Sequence, residues 1–301
     1  MQALRNNHTI QGIVLAIAAT LLWSGNFIIS RAVSHDIGPV SLAFYRWFTA
    51  TLIIAPFAFK KFQQEKKLVS ANIQYLFWVA LTGIALFNTF VYIAGRTTSA
   101  INMALIGTTS SPIFATIMAV LFLKEQLTKF RLIGMLICIA GILLLISNGE
   151  WSKLAAFHFS QGDLWILEGA FAFAIYNILV RKKPAGISAM NFLMVIFFIG
   201  SVLLFPFYLK ELLIDTPTHF TPTLIGSIIY LGAGTSVTAF LCWNLSIQKL
   251  GASRTVLFGN LIPVFSIFEA VLILGEKMSS AHIFSSLIVI AGLTIANLKS
   301  K

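Results

Sequence analysis

The chain has 301 residues, of which 58% are hydrophobic and only 10% are charged. Soluble domains carry about 25% charged residues, so this composition excludes a soluble globular protein. The net charge of +11 does not indicate a nucleic-acid partner, because the basic residues lie in short loops between apolar runs rather than on one surface.

Ten apolar runs of about twenty residues follow one another, and each is long enough to cross a hydrocarbon layer of about 30 Å. The first run is longer than a signal-peptide core of about 7–15 residues, so we expect it to stay in the protein. The pattern predicts an all-α, polytopic membrane protein with short connections. The predicted spans lie near 11–30, 39–59, 72–95, 99–123, 130–147, 162–180, 188–209, 222–247, 252–274 and 281–298.

The distribution of Lys and Arg predicts the orientation of these spans. Ten crossings place both termini on one side of the membrane. The loops on that side hold fifteen of the 21 Lys and Arg residues, and the opposite loops hold five. Because Lys and Arg accumulate in cytoplasmic loops, we expect both termini in the cytoplasm.

A shift of 150 or 151 residues brings the two halves of the chain into register. Each copy holds five spans, an odd number, so the second copy must enter the membrane from the opposite face. The predicted repeats, 11–147 and 162–298, therefore form two inverted halves, an arrangement typical of secondary transporters with a midplane site. Matched pairs include Arg31 with Arg181 and Pro56 with Pro206 at 150, and Gly83 with Gly234, Pro112 with Pro263 and Glu125 with Glu276 at 151.

Four short motifs occur in the spans or at their ends: LWSGNF at 22–27, FYRW at 44–47, LKEQL at 123–127 and LGEKM at 274–278. These motifs resemble the drug/metabolite transporter superfamily, in its EamA-like branch of ten-helix bacterial exporters. The resemblance implies ten helices around a central cavity, with the first, third and fourth helices of each half lining the substrate path. It also implies a bacterial inner (plasma) membrane and export of amino acids, related metabolites or drug-like compounds.

Three charged residues are predicted inside apolar spans: Arg46, Glu168 and Glu269. A charge in lipid costs at least about 2.5–3.5 kcal/mol, so these side chains should face protein or water. Arg46 either attracts a substrate carboxylate or has a structural role, which we favour. The two Glu residues are candidates for proton exchange or for holding a substrate ammonium, and an ion pair with Arg46 is the alternative.

A polar stripe is predicted on the fourth span, where Asn102, Thr109 and Thr116 recur at seven-residue spacing and so share one helix face. In the ninth span, Ser253 matches Asn102 and Asn260 matches Thr109. Such stripes face either a water-filled path or neighbouring helices. Pro112 and Pro263 interrupt the same two spans and free backbone carbonyls there, which predicts a paired hinge or, alternatively, kinks that serve packing.

Aromatic rings with polar edges that lie away from span ends need a partner or a pocket. Tyr92 and Trp243 match at a shift of 151, and Asn88 precedes Tyr92 by one helical turn. The resulting candidate substrate-binding residues are Trp23, Asn26, Asn88, Tyr92, Asn102, Thr109, Glu168, Tyr176, Trp243, Asn260 and Glu269, with Arg46, Pro112 and Pro263 as structural or gating residues.

The sequence contains no Walker-type phosphate loop, no complete dinucleotide fingerprint and no metal-ligand spacing among its five His residues, so we expect neither a cofactor nor a metal nor an enzyme. The main hypothesis is a secondary transporter that exports small metabolites by alternating access, with a small-molecule substrate, the lipid bilayer and candidate coupling protons as partners. A carrier of sugar- or nucleotide-linked solutes and an enzyme acting on lipid-linked substrates are the alternatives. A monomer and a homodimer are both compatible with the sequence.

Overall fold

A computed structural model describes residues 2–33, 36–97, 100–147, 149–150, 152, 160–214, 218, 220–274 and 280–298. These residues form helices and no strands, as the apolar runs predict. Six helices in the described part, of 19 to 33 residues, are long and apolar enough to cross a membrane. The count of ten crossings remains a prediction.

The helices are numbered in chain order, and three shorter segments join some of them. A π-helical segment, Leu81–Leu86, joins α3 to α4, a second, Leu231–Thr238, joins α9 to α10, and a 3-10 segment, Val256–Asn260, joins α11 to α12. The helices are α1 Gln2–Ala32, α2 Pro39–Ala71, α3 Ile73–Ala80, α4 Phe87–Thr97, α5 Ala100–Leu123, α6 Lys129–Ser147, α7 Gln161–Arg181, α8 Ala189–Ile214, α9 Pro222–Tyr230, α10 Ala239–Leu250, α11 Ala252–Thr255, α12 Leu261–Leu274 and α13 Ser280–Asn297.

Local sequence accounts for several helix ends. A capping box begins α7, in which Ser160 and Asp163 satisfy each other's backbone N–H groups. The Thr221 hydroxyl accepts a hydrogen bond from the Leu224 N–H at the start of α9. After α5, Lys124 has a φ of 53°, a left-handed conformation that ends a helix and is more commonly adopted by glycine.

Helices α2 and α8 pack against each other in antiparallel fashion. At one end, the Ser41 N–H donates to Glu211 Oε2 over 2.6 Å. At the other end, the Ser188 N–H donates to Glu65 Oε2 over 2.9 Å. Each carboxylate therefore lies near the end of one helix and satisfies free N–H groups at the start of the other. We call these two contacts the reciprocal caps.

Helices α6 and α13 also run antiparallel and approach through small residues. A Cβ atom at Gly134 would lie 2.5 Å from the Ala296 backbone nitrogen and would overlap the Gly292 carbonyl oxygen. A Cβ at Gly141, farther along α6, would lie 3.1 Å from the Ser285 carbonyl oxygen. Small residues let membrane helices come this close, and the pairing places the end of α6 beside the start of α13.

The other large helix–helix contacts occur in equivalent pairs, one formed by a helix of each half. Helix α7 packs on α4 and α5, whereas α1 packs on α10 and α12. Under the predicted repeat, α1 corresponds to α7, α4 to α10 and α5 to α11 and α12. Each contact of one half thus has a counterpart made by the other half.

Polar side chains lie inside the helix bundle, and many large apolar ones lie outside it. Arg46 and Asn88 are each 1% exposed and Asn177 is fully buried. Leu213 is 87% exposed and Phe57 is 72% exposed. This distribution, together with the long apolar helices, is that of a membrane-embedded protein with a polar interior.

Candidate functional site

A cavity lies between the two halves of the chain. It is lined by α1, α2, α4 and α5 from the first half and by α7, α10, α12 and the 3-10 segment from the second. It encloses about 810 Å³ of unfilled space, its open mouth included. The lining is mostly apolar and aromatic, and Asn26, Arg46, Asn88 and Ser111 also contribute to it.

Arg46 organises the polar part of this cavity. Its Nη1 donates to the Asn26 Oδ1 at 2.9 Å, the Asn88 Oδ1 at 2.8 Å and the Tyr92 hydroxyl at 2.8 Å. Its Nε donates to the Ser236 hydroxyl over 2.7 Å. The guanidinium therefore joins helices of both halves around one buried charge.

The partners of Arg46 are neutral. Within the described part of the chain, Arg46 forms no ion pair with a carboxylate, and the guanidinium carbon lies 4.7 Å from the centre of the Trp47 ring. The ring face and the four acceptors stabilise the cation without neutralising it. The cavity is therefore expected to have a positive potential and to favour an anionic group.

Aromatic rings form the other side of the cavity. The Trp23 ring lies 4.8 Å from that of Trp243 and 5.4 Å from that of Phe240 between centroids. The Trp23 indole N–H donates to the Thr235 carbonyl over 2.8 Å, and that of Trp243 donates to Asn177 Oδ1 over 2.7 Å. Both indole donors are thus already used, so these residues offer ring faces rather than hydrogen bonds to a ligand.

The end of α5 is joined to the start of α11 by one carboxylate. Glu125 accepts hydrogen bonds from the Ala252 N–H, over 3.1 Å, and from the Ser253 hydroxyl. Arg131 Nη1 lies 3.7 Å from Glu125 Oε2 and donates to Ser253 Oγ over 2.7 Å. This group, the Glu125 contact, connects the two halves at one end of the helices that line the cavity.

Comparison with protein families accounts for this architecture. The family model described as the EamA-like transporter family matches residues 10–147 and 160–298, which is nearly the whole chain in two copies. The chain belongs to the EamA-like transporter family. The resemblance to the drug/metabolite transporter superfamily is thereby confirmed.

Curated relatives and one solved structure match over similar lengths. An uncharacterized transporter of Archaeoglobus fulgidus is 26% identical, with 95% of this chain and 97% of the relative covered. A probable amino-acid metabolite efflux pump of Salmonella typhimurium is 23% identical, with 93% of each covered. A protein of known crystal structure superposes with a TM-score of 0.75 at 16% identity, covering 97% of this chain and 96% of its own, which shows a shared fold.

The EamA-like fold brings many of the predicted residues together. Tyr92 does not line the cavity but binds Arg46 directly. Tyr176 is fully buried beside the aromatic rings, and its hydroxyl donates to Asn244 Oδ1 over 2.6 Å. The predicted residues that line the cavity are Trp23, Asn26, Arg46, Asn88, Pro112 and Trp243.

Two other predicted residues lie next to the lining. Asn260 is fully buried and follows Gly259. Pro263 is half-buried and follows Ile262. The side chains of Asn102 and Thr109 lie outside the described part of the chain. The described members of the predicted polar stripe, Thr116, Ser253 and Asn260, are all buried.

The two carboxylates of the spans differ in environment, and neither lines the cavity. The Ser24 hydroxyl donates to Glu269 Oε1 over 2.5 Å, and Glu269 Oε2 is buried without a hydrogen-bond partner among the described residues. Glu168 is exposed on the face of α7 that also presents Leu164 and Phe171. A position inside an apolar span thus does not decide whether a carboxylate points into the helix bundle or away from it.

Sequence reasoning missed several aromatic and polar residues of the site. Phe173 and Phe240 line the cavity, and Asn177 holds the Trp243 indole. Phe side chains are so common in this chain that composition did not single them out. The repeat contained a usable signal, because Phe173 matches Trp23 at a shift of 150 and their rings lie 5.8 Å apart.

Proposed function

We propose that this chain is a secondary transporter that exports small, amino-acid-like metabolites from the cytoplasm by alternating access. The observation that carries the proposal is the cavity between the two halves, which combines the Arg46 cation with aromatic ring faces. The efflux-pump names of two relatives support the substrate class and the direction.

We further propose ten crossings built from two inverted five-helix repeats, 11–147 and 162–298, with both termini in the cytoplasm. The antiparallel pairs α2 with α8 and α6 with α13 support this arrangement, because each pair joins equivalent helices of the two halves. The reciprocal contacts of α1 and α7 support it as well. A two-fold relation of this kind lets the two halves rock against each other and expose a shared midplane site to each side of the membrane in turn.

The lining favours this function over transport of nucleotide-linked solutes. A diphosphate is bound by several cationic or backbone donors, whereas Arg46 is the one Lys or Arg side chain among the described lining residues. The aromatic faces suit an apolar body of modest size. A small organic solute with one polar end therefore fits the cavity better.

Reconstitution tests the proposal directly. Purified protein in proteoliposomes is expected to take up at least one radiolabelled amino acid or related metabolite faster when a pH gradient is imposed. Cationic dyes serve as a second substrate class, and protein-free liposomes measure leakage. Uptake equal to leakage for every solute, with and without the gradient, would contradict a transport function.

We propose that Glu269, rather than Glu168, exchanges the coupling proton. Glu269 has one oxygen bonded to Ser24 and the other buried without a partner among the described residues. Ser24 lies on α1, the helix that also carries the Arg46 partner Asn26, so one helix connects the carboxyl group to the polar part of the cavity. Glu168 lies on an exposed apolar face.

The substitution Glu269→Gln is expected to reduce gradient-driven uptake to the rate measured without a gradient. Gln retains an oxygen that accepts from the Ser24 hydroxyl, but its amide group does not take up or release a proton as a carboxyl group does. Glu168→Gln is the matched control and should transport at the parental rate. Parental, gradient-dependent transport by both variants would show that neither carboxylate couples transport to protons.

A further inference from the structure

The orientation of the Asn88 amide is dictated by Arg46. A guanidinium can only donate hydrogen bonds, so Asn88 must turn its Oδ1 toward Arg46 Nη1, 2.8 Å away. Its Nδ2 then faces away from the guanidinium. This assignment follows from the chemistry of the partner, although oxygen and nitrogen have nearly the same shape.

The Nδ2 donor has no partner within the part of the chain that the structure describes. Asn88 is 1% exposed, lines the cavity, and its Nδ2 is buried without a hydrogen-bond acceptor among the described residues. Leaving a buried donor unsatisfied destabilises a protein by about 1–3 kcal/mol. Such a donor beside a cavity is explained most simply by an acceptor that arrives with a ligand.

The other groups of the lining define what that ligand carries. The indole donors of Trp23 and Trp243 are already bonded to protein acceptors. The acceptor oxygens of Asn26 and Asn88 are bonded to Arg46. Among the described lining residues there is also no carboxylate that could bind an ammonium group. What remains is the Asn88 donor, the Ser111 hydroxyl, which can donate or accept a hydrogen bond, the positive field of Arg46 and the aromatic faces.

We infer that the cavity recognises an apolar monocarboxylate, whose oxygen accepts a hydrogen bond from Asn88 Nδ2 while its body packs on the rings of Trp23 and Trp243. An α-amino group is not required for binding. The inference rests on the proposed transport function and specifies its substrate as an acid rather than an amine. Amino-acid derivatives without a free amino group belong to this class.

Competition binding separates the possible head groups. Radiolabelled 3-phenylpropionate is bound to the purified full-length protein in detergent, and unlabelled 3-phenylpropionate, 3-phenylpropanamide, phenylalanine and phenethylamine compete. We expect the carboxylate to compete at least about tenfold better than the amide, because hydrogen bonds to charged acceptors are stronger than those to neutral ones. The amine should be the weakest competitor.

Two variants assign the effect to Asn88. Asn88→Ala removes the donor and should weaken 3-phenylpropionate binding at least about tenfold. Asn88→Asp keeps an oxygen for Arg46 but replaces the donor by a second acceptor, so it should weaken the acid similarly while leaving phenethylamine bound at least as well as before. The matched control is Asn244→Ala. The Asn244 Oδ1 also accepts a hydrogen bond, its Nδ2 also has no partner among the described residues, and the side chain lies outside the cavity lining.

The outcomes distinguish this inference from the function on which it rests. Stronger competition by phenethylamine than by the acid, parental affinity in Asn88→Ala, equal loss in Asn244→Ala, or no binding of any probe would each overturn it. Transport of the amine without the acid in proteoliposomes would overturn it and leave the transporter function intact. Acid binding that depends on Asn88, with no solute crossing the bilayer, would support the site and contradict the proposed function.

Discussion

Arg46 shows how a single buried charge can orient a whole set of neutral groups. Its donors fix the amides of Asn26 and Asn88 and the hydroxyl of Tyr92. We favoured a structural role for Arg46 over attraction of a substrate carboxylate. The two roles are compatible. The guanidinium binds protein groups. Its charge is not paired with a carboxylate among the described residues and is expected to act on the cavity.

Replacing Arg46 by Lys is expected to lower the free energy of unfolding by about 1–3 kcal/mol, because one ammonium group cannot reach all the acceptors and leaves at least one buried group unsatisfied. Thermal unfolding in detergent measures the change. Lys60→Arg is the control, since Lys60 is exposed and an exposed substitution stays within about 0.5 kcal/mol. Equal melting temperatures for the two variants would contradict the organising role of Arg46.

At the residue scale, the sequence predicted much of the site because polar groups inside apolar spans are costly and need a shared environment. Trp23, Arg46 and Asn88 come together for this reason. Sequence position alone could not separate Glu168 from Glu269, because rotation of each helix about its own axis depends on packing against neighbours. Depth follows from counting residues, whereas the direction of a side chain does not.

At the element scale, the closest helix contact involves glycine. Gly134→Ala is expected to destabilise the protein by about 1–3 kcal/mol, because the added Cβ meets backbone atoms of α13 that cannot rotate away. Thermal unfolding and yield of folded protein report the effect. Gly226→Ala is the matched control, since a Cβ there has nothing within 4 Å. If Gly134→Ala were as stable as Gly226→Ala, α6 and α13 would not pack as closely as described.

The elements themselves were largely predictable from apolar runs and helix-ending residues, but their internal irregularities were not. The spans near 72–95 and 222–247 were predicted as single helices, and both contain a π-helical segment at matched positions. At Gly83 in the first of these, the Tyr176 ring occupies the space of a side chain. The segment thus packs against a residue far away in the sequence, which a local pattern cannot show.

At the scale of the whole molecule, the proposed alternating access is expected to open and close the Glu125 contact. A chain carrying Glu125→Cys and Ser253→Cys, with Cys138 and Cys242 replaced by Ala, is expected to lose transport when a short thiol cross-linker joins the two positions. Reduction of a cleavable cross-linker should restore it. The single-cysteine variants treated with the same reagent are the controls, and parental transport by the fully cross-linked protein would contradict movement at this contact.

The sequence predicts the inverted architecture because an odd number of predicted spans in each copy would leave the two halves in opposite orientations. The size of the cavity and the identity of its walls do not follow, because they depend on how α1 and α7 insert between helices of the other half. Apolar helices can pack at several angles. Hydropathy therefore predicts a number of crossings but not the space between them.

The reciprocal caps have a consequence for how the protein is made. The N–H groups that begin α2 are satisfied by Glu211, 170 and 171 residues further along the chain. When only the first half of the chain has been synthesised, this carboxylate does not yet exist. The start of α8, at Ser188, in turn depends on Glu65 of the first half. The first N–H groups of α2 therefore lack their carboxylate partner until the carboxy-terminal half is synthesised and packs against the amino-terminal half.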